Sequence, residues 1–544
     1  MTSDAGTRAR HTADEHHDLI VVGAGFSGLY MLHRARNVLG LDTVVFEAGD
    51  GVGGTWYWNR YPGARCDSES WYYCYTFDEA LAQEWTWTTK YPEQPEIRAY
   101  LEHVADRFDL RRDIRLGTTV TEARFDDHDA HWVVTTADGT RVRAPYLVSA
   151  VGCLSAANVP QIPGLERFGG DWYHTGRWPH EGVDFANKRV GLVGTGSTGI
   201  QATPVIAAEA DHLTVFQRTA NYSVPARNGP LEAGQLADIR AHYPQIHERL
   251  RHSYGGFPFD AANRSALDHS PEEREAVYRE VWEHGGFKFL YGAFSDLLLD
   301  ERANDTAAEF IRERIRETVH DPDVAELLCP HDHPYGSKRP PIDSGYFETF
   351  NRDNVRLVDI HRHPIAEITE TGVRTTAEDH ELDVLVFATG FDAMTGALLA
   401  IDIRGRGGRS LRDKRADGPQ TYLGLQTAGF PNLFTITGPQ SPSVLSNMPI
   451  SIEQHVEWIA DCVAHLRATG ATTIEATPEA EGAWSDHTAE LAELTLFSKA
   501  SSWYLGANIP GKKRVFMPYV GGVGGYRERC DSIAANGYEG FAIA

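Results

Sequence analysis

Asp18-Leu-Ile-Val-Val22-Gly23-Ala-Gly25-Phe26-Ser27-Gly28 is a short apolar run that enters a Gly-x-Gly-x-x-Gly turn. Its surroundings decide the fold. Leu29 to Leu39 suits a helix, and Thr43-Val-Val-Phe-Glu47 reads as a second strand ending in an acid. Strand, glycine turn, helix and acid-ended strand together make one dinucleotide-binding unit. The glycines permit a tight turn and a close pyrophosphate, the helix N-terminus offers N–H donors, and the acid accepts from a ribose hydroxyl. Gly23, Gly25, Phe26, Ser27, Gly28 and Glu47 are therefore expected at a bound nucleotide.

The plan recurs. Lys188-Arg-Val-Gly-Leu-Val193 enters a second turn formed by Gly194, Thr195, Gly196, Ser197, Thr198 and Gly199. The strand that follows, Leu213 to Gln217, ends in Arg218-Thr219 instead of an acid. A guanidinium binds a 2'-phosphate through paired, charge-assisted hydrogen bonds, whereas an acid would repel it. The two units thus imply one FAD and one NADPH. The expected fold class is α/β, with two Rossmann-like dinucleotide-binding domains and a helical insertion in the NADPH domain.

Composition narrows the partners. The chain has 544 residues, enough for two or three domains, and a formal net charge of −25 with pI near 5.4. Such a surface repels phosphate, which argues against nucleic acid and anionic membranes. The six cysteines (Cys66, Cys74, Cys153, Cys329, Cys462, Cys530) include no Cys-x-x-Cys pair, which reads as reduced thiols in a cytoplasmic protein with no metal site. No apolar run is long enough to span a bilayer, and the polar stretch 1–17 is expected to be a disordered tail. Nothing in the sequence marks an oligomer interface, and a monomer is compatible with it.

Two ordered patterns go further. Between the glycine turns stands Phe168-Gly-Gly-Asp-Trp-Tyr-His174-Thr-Gly-Arg-Trp178-Pro179. After the first unit comes Gly53-Gly54-Thr55-Trp56-Tyr57-Trp-Asn-Arg60-Tyr61-Pro62-Gly63-Ala-Arg65-Cys66-Asp67. Both resemble the fingerprints of type I Baeyer-Villiger monooxygenases, flavoproteins that insert one oxygen atom beside a ketone. The resemblance runs from about Asp18 to the C-terminus and implies residue roles. Gly54, Thr55, Trp56 and Tyr57 would lie along the flavin, with Arg65, Cys66 and Tyr73 in the same cofactor shell and Val120 meeting the adenine end through its backbone. Asp67 would stand near the isoalloxazine and pair with a catalytic arginine.

That arginine is Arg339 by the same resemblance, in Tyr335-Gly-Ser-Lys338-Arg339-Pro-Pro-Ile-Asp343, and Lys338 would help hold the NADPH 2'-phosphate. A group that cannot lose its proton suits a flavin C4a-peroxide anion and the oxyanion formed on the ketone. Met448 would face flavin and substrate, and His174 would act in a linker coupling the domains, outside acid-base work. Trp503, in Ala500 to Lys512, would pack on the nicotinamide nucleotide from a mobile loop, although a core aromatic position fits it as well. The expected layout is an FAD-binding domain over 18–152, an NADPH-binding domain over 153–387 with the insertion at about 231–330, and the rest of the FAD domain over 388–544, with the loop at about 500–513. The expected reaction turns ketones and O2 into esters or lactones, through cyclic, aryl or steroid-like substrates. The alternative is a flavin-containing N- or S-monooxygenase.

Overall fold

A computed structural model describes residues 14–544. Leu19–Val22 (β1) is buried along nearly its whole length, which is the pattern of a parallel strand covered on both faces. It leads through the first glycine turn into the helix Phe26–Leu32 (α1), which continues as a wider turn over His33–Val38. Thr43–Phe46 (β2) and Tyr146–Ser149 (β3) pair with β1 in parallel on either side. At Gly23 the backbone has φ +106°, and a Cβ there would run into the Ala150 carbonyl just past β3. Only glycine lets the turn pass this close to its neighbour.

The second unit repeats this geometry. Asp171–His174 (β4), Arg189–Val193 (β5), the helix Ser197–Glu209 (α2) and His212–Gln217 (β6) follow in order. Pro271–His284 (α3) and Glu301–Thr318 (α4) are helices of the expected insertion. Val355–Asp359 (β7) and Val384–Phe387 (β8) complete a parallel sheet in the order β7-β6-β5-β8-β4. Gly194 has φ +117°, and its Cβ would stand 2.5 Å from the Ala388 carbonyl just past β8. Each turn is therefore closed by the strand that crosses next to it. The chain then returns, because Leu433–Thr435 (β9) pairs with β3 in the first sheet.

Local signals set these elements. Ser270 accepts from the Glu273 N–H and the Glu273 carboxylate accepts from the Ser270 N–H, a capping box that starts α3, and Gly285 at φ +77° ends it. In α4, Ala303, Ala307, Ile311 and Ile315 recur on one face and are buried. Asn304 on that helix bonds Tyr335 through both its amide atoms, and Val224–Pro225 pairs with Ile342–Asp343. The Lys338–Arg339 segment is thereby fixed at both ends.

The tail expected over 1–17 needs correction where it is described. Positions 1–13 lie outside the described residues, while Glu15–His16 forms a short strand parallel to Arg141–Ala144. His17 stands 3.0 Å from Asp42 and Arg115 pairs with Glu15, so charge contacts fix a stretch whose polarity suggested disorder. Among the described residues no helix is long and apolar enough to cross a membrane. All six cysteines are free and buried.

Candidate active site

Arg339 and Asp67 meet in a cavity. The Arg339 Nε donates to Asp67 Oδ2 at 3.1 Å and Nη1 donates to the Val444 carbonyl at 2.8 Å. The guanidinium lies 5.0 Å from the Phe287 ring centroid. Phe257, Leu290, Tyr291, Leu445 and Tyr504 line the same cavity, so its wall is largely apolar and aromatic, with Arg339 and Ser446 as polar exceptions. Burial weakens the Arg339 charge, but Asp67 outweighs it and holds the proton more tightly than usual. Burial pushes the Asp67 carboxyl up, and Arg339 pulls it back. A permanent cation is thus fixed at the edge of a largely apolar space.

The first glycine turn supplies a cradle beside it. Gly25 caps α1 without any side-chain hydrogen bond, which leaves first-turn N–H groups free for an anion. Gly54, at φ +54°, would place a Cβ 2.8 Å from the Gly25 Cα, so the segment carrying Thr55 and Trp56 packs directly on the turn. Glu47 lies one residue past the end of β2. Its Oε2 accepts from the Ala24 N–H and its Oε1 from the Gly49 N–H, both at 2.8 Å, and each oxygen keeps a lone pair for a ribose hydroxyl. The Thr118 N–H donates to the Glu47 carbonyl at 2.7 Å, which brings Val120, at the start of its strand, near the same end. Phe26, Tyr73 and Trp56 form one buried aromatic group, in which the Trp56 indole donates to the Tyr73 hydroxyl at 3.2 Å. Ser27 is buried in the first turn of α1. These features fit FAD.

Several expected residues point elsewhere with their side chains. The Arg65 guanidinium pairs with Glu93 at 2.7 Å, the Cys66 thiol accepts from the Ser68 N–H, and the Tyr57 hydroxyl accepts from the Asp50 N–H. Only their backbone or ring faces remain for a cofactor. Met448 opens the helix Met448–Thr469 (α5), whose N-terminal Asn447 has a buried Oδ1 without a partner.

The second turn fits NADPH by the same test. Gly196 caps α2 without a side-chain hydrogen bond, and no atom lies within 4 Å of where its Cβ would stand. Ser197 and Thr198 open the helix, and the Thr195 hydroxyl donates to the Thr219 carbonyl at 2.7 Å, tying the turn to the end of β6. There Arg218 is exposed. Burial lowers the Lys338 ammonium's pKa, Asp332 raises it, and the nearby charge of Arg218 lowers it further. The two cations, from distant segments, are thus near enough to repel one another, and a dianionic phosphate bound between them would relieve that repulsion.

His174 lies apart from Arg339, at the end of β4. Its Nδ1 accepts from the Gly176 N–H at 3.0 Å, and its Nε2 stands 3.3 Å from the Thr389 hydroxyl, which itself donates to the Asn158 carbonyl. Burial lowers its pKa to about 4, so the ring is neutral near pH 7. It ties together the two segments that cross between the sheets. Trp503 is partly buried and packs 4.4 Å from the Tyr504 ring. Its loop is docked through Asn508 to the Phe391 carbonyl and through Lys512 to the Ala393 carbonyl.

Two residues escaped the sequence reading. Gln201 on α2 donates to Asp67 Oδ1 at 3.4 Å and accepts from the Tyr61 hydroxyl at 2.7 Å, linking the second unit to the Arg339 pair. It is the one long polar side chain in the interior of the helix Ser197–Glu209, and that contrast was a usable signal. Tyr504 is buried against Arg339, and burial pushes its hydroxyl up to about 12 while the arginine pulls it down. Its neighbour Trp503 drew attention away from it.

Comparison with known proteins finds flavin monooxygenases along essentially the whole chain. The family described as flavin-binding monooxygenase-like matches residues 16–228. A Baeyer-Villiger monooxygenase of Pseudooceanicola batsensis is 46% identical and covers 98% of this chain and 97% of its own. A phenazine N-monooxygenase of Lysobacter antibioticus is 45% identical, covering 97% of each. Among solved structures, an oxidized steroid monooxygenase bound to NADP is 55% identical with a TM-score of 0.93, covering 97% of this chain and 99% of its own.

Proposed function

The chain belongs to the Baeyer-Villiger monooxygenases, enzymes dependent on FAD and NADPH that convert ketones to esters or lactones, and we propose that in this member Arg339, held by Asp67, receives the reacting ketone in the cavity lined by Phe287, Tyr291 and Tyr504. The observation that carries this reading is the Arg339–Asp67 pair at 3.1 Å, facing an apolar space. When bound, FAD supplies oxygen activation and NADPH supplies the hydride that reduces it. The chain's own residues do the rest. Arg339 offers a fixed positive charge to the ketone oxygen as negative charge develops on it, and the aromatic wall keeps water away so that this charge is felt strongly. Asp67 orients the guanidinium, and Gln201 holds the other carboxylate oxygen.

The first glycine turn with Glu47 and Val120 would hold FAD, and the second turn with Arg218, Thr219 and Lys338 would hold NADPH. The FAD-binding part would comprise 18–152 and 388–544, and the NADPH-binding part 153–387 with its insertion at about 231–330. Dioxygen would be the co-substrate. Six free thiols support a reducing, cytoplasmic setting. The steroid monooxygenase at 55% identity supports a steroid-like ketone among the expected substrates.

The test is NADPH oxidation by the purified yellow protein under air, with phenylacetone, cyclohexanone, a 20-keto steroid and phenazine, and products read by mass. A ketone-stimulated ester or lactone, one oxygen heavier than the ketone, supports the reading. Phenazine N-oxide with no ester from any ketone would overturn it in favour of N-oxygenation, the activity that the Lysobacter relative's name states.

A further inference from the structure

Lys338 is not free to meet an incoming phosphate. Its Nζ lies 3.6 Å from Asp332 Oδ2, and only 17% of its side chain is exposed. The other oxygen of that carboxylate, Oδ1, is 2.6 Å from His333 Nδ1. A carboxylate only accepts, so the neutral imidazole carries its proton on Nδ1 and leaves Nε2 bare. Nε2 is buried without a partner, and protonation there would bury an unmatched donor. Burial accordingly lowers the pKa of His333 from its ordinary value. The ring is anchored edge-to-face on Tyr222, 5.2 Å away, whose hydroxyl donates to the Pro330 carbonyl and accepts from Arg312. Asp332 is thus pinned from behind and aimed at Lys338.

We propose that Asp332, oriented by His333, competes with the NADPH 2'-phosphate for Lys338 and so sets how tightly the enzyme grips and releases the nucleotide. The inference rests on the reading that Lys338 and Arg218 hold that phosphate. Asp332 offsets the repulsion between the two cations. When the phosphate arrives, the ammonium must change partners, and the carboxylate it leaves repels the dianion. Both effects weaken binding, and both act only on nucleotides carrying the 2'-phosphate. Asp332 is a specificity-tuning residue and does not itself touch the reacting atoms.

The experiment is calorimetric titration of the FAD-loaded protein with 2',5'-ADP and with 5'-AMP, so that no turnover is needed. Asp332→Asn keeps an acceptor for His333 and removes the charge. It is expected to bind 2',5'-ADP about three- to ten-fold more tightly, the scale of a partly buried ion pair, with 5'-AMP unchanged. Lys338→Met is expected to weaken 2',5'-ADP alone, and the double variant to gain less over Lys338→Met than Asp332→Asn gains over the wild type, since only the repulsion is then left to relieve. If Asp332→Asn binds 2',5'-ADP equally or less tightly while Lys338→Met still loses affinity, the competition is refuted and the phosphate reading stands. Wild-type binding of 2',5'-ADP by Lys338→Met would remove both.

Discussion

Arg339 reaches Asp67 across 272 residues of chain, Nε to Oδ2 at 3.1 Å, and its Nη1 holds the Val444 carbonyl at 2.8 Å. The guanidinium is therefore bound on two sides, with its remaining N–H groups and its face left toward the cavity. Asp67 in turn takes a bond from Gln201, which stands on the helix of the second glycine turn. Through Asp67 the guanidinium is thus linked to the segment after the first glycine turn and to the helix of the second.

Arg339→Ala should keep the yellow colour and lose oxygenation. Neither glycine turn contacts the arginine, so flavin retention is unaffected. Removing one preorganised donor typically costs about 3 kcal/mol, roughly 100-fold in kcat. Ester yield per NADPH and hydrogen peroxide release are the measurements. Wild-type ester yield would rule out the role given to Arg339.

Asp67→Asn tests the pair from the other side. It leaves Arg339 mostly buried, at 26% side-chain exposure, with no opposing charge. Breaking a buried pair costs about 3–5 kcal/mol, and partial exposure reduces this to about 2 kcal/mol by screening. Urea unfolding should show that loss, and kcat should fall as the guanidinium drifts. An unchanged midpoint would mean that the pair contributes nothing to stability.

Gly194→Ala should separate the two nucleotides. The new Cβ meets the Ala388 carbonyl at 2.5 Å on a backbone held at φ +117°, a strain of about 1–3 kcal/mol from the conformation before the clash is counted. The first turn is untouched. The variant is expected to bind FAD and be bleached by dithionite, yet be reduced poorly by NADPH. Normal reduction by NADPH would show that the second turn does not hold it.

Much of this was legible because the relevant constraints are local. A turn that must pass against a neighbouring strand needs glycine at fixed places, so Gly23, Gly28, Gly194 and Gly199 announce themselves, and the apolar runs beside them name their own strands. The helix Pro271–His284 carries its own start and stop signals in Ser270, Glu273 and Gly285. Long-range pairings are different. Nothing near Asp67 says that its partner lies at position 339, and only the resemblance of two ordered motifs joined them. Gln201 and Tyr504 act through where the fold puts them, and Asp332 gains its meaning from a histidine beside it and a lysine six residues on.

His174 offers a pH test with a definite sign. In the folded protein it is neutral, with a pKa lowered by burial to about 4, against 6.5 for the free side chain. Between those values the unfolded chain binds more protons than the folded one, so acid favours unfolding. The contribution of His174 should therefore be constant above about pH 6.5 and be lost as pH drops toward 4, about 3 kcal/mol in all. His247 and His455, also buried and lowered, act in the same direction, so the measurement is a difference. His174→Gln should show a shallower decline in urea midpoint between pH 7 and pH 5 than the wild type. The same ring joins Gly176 on one crossing segment to Thr389 on the other, and His174→Ala should also form less product for each NADPH consumed. Parallel pH profiles with undiminished coupling would reduce His174 to packing alone.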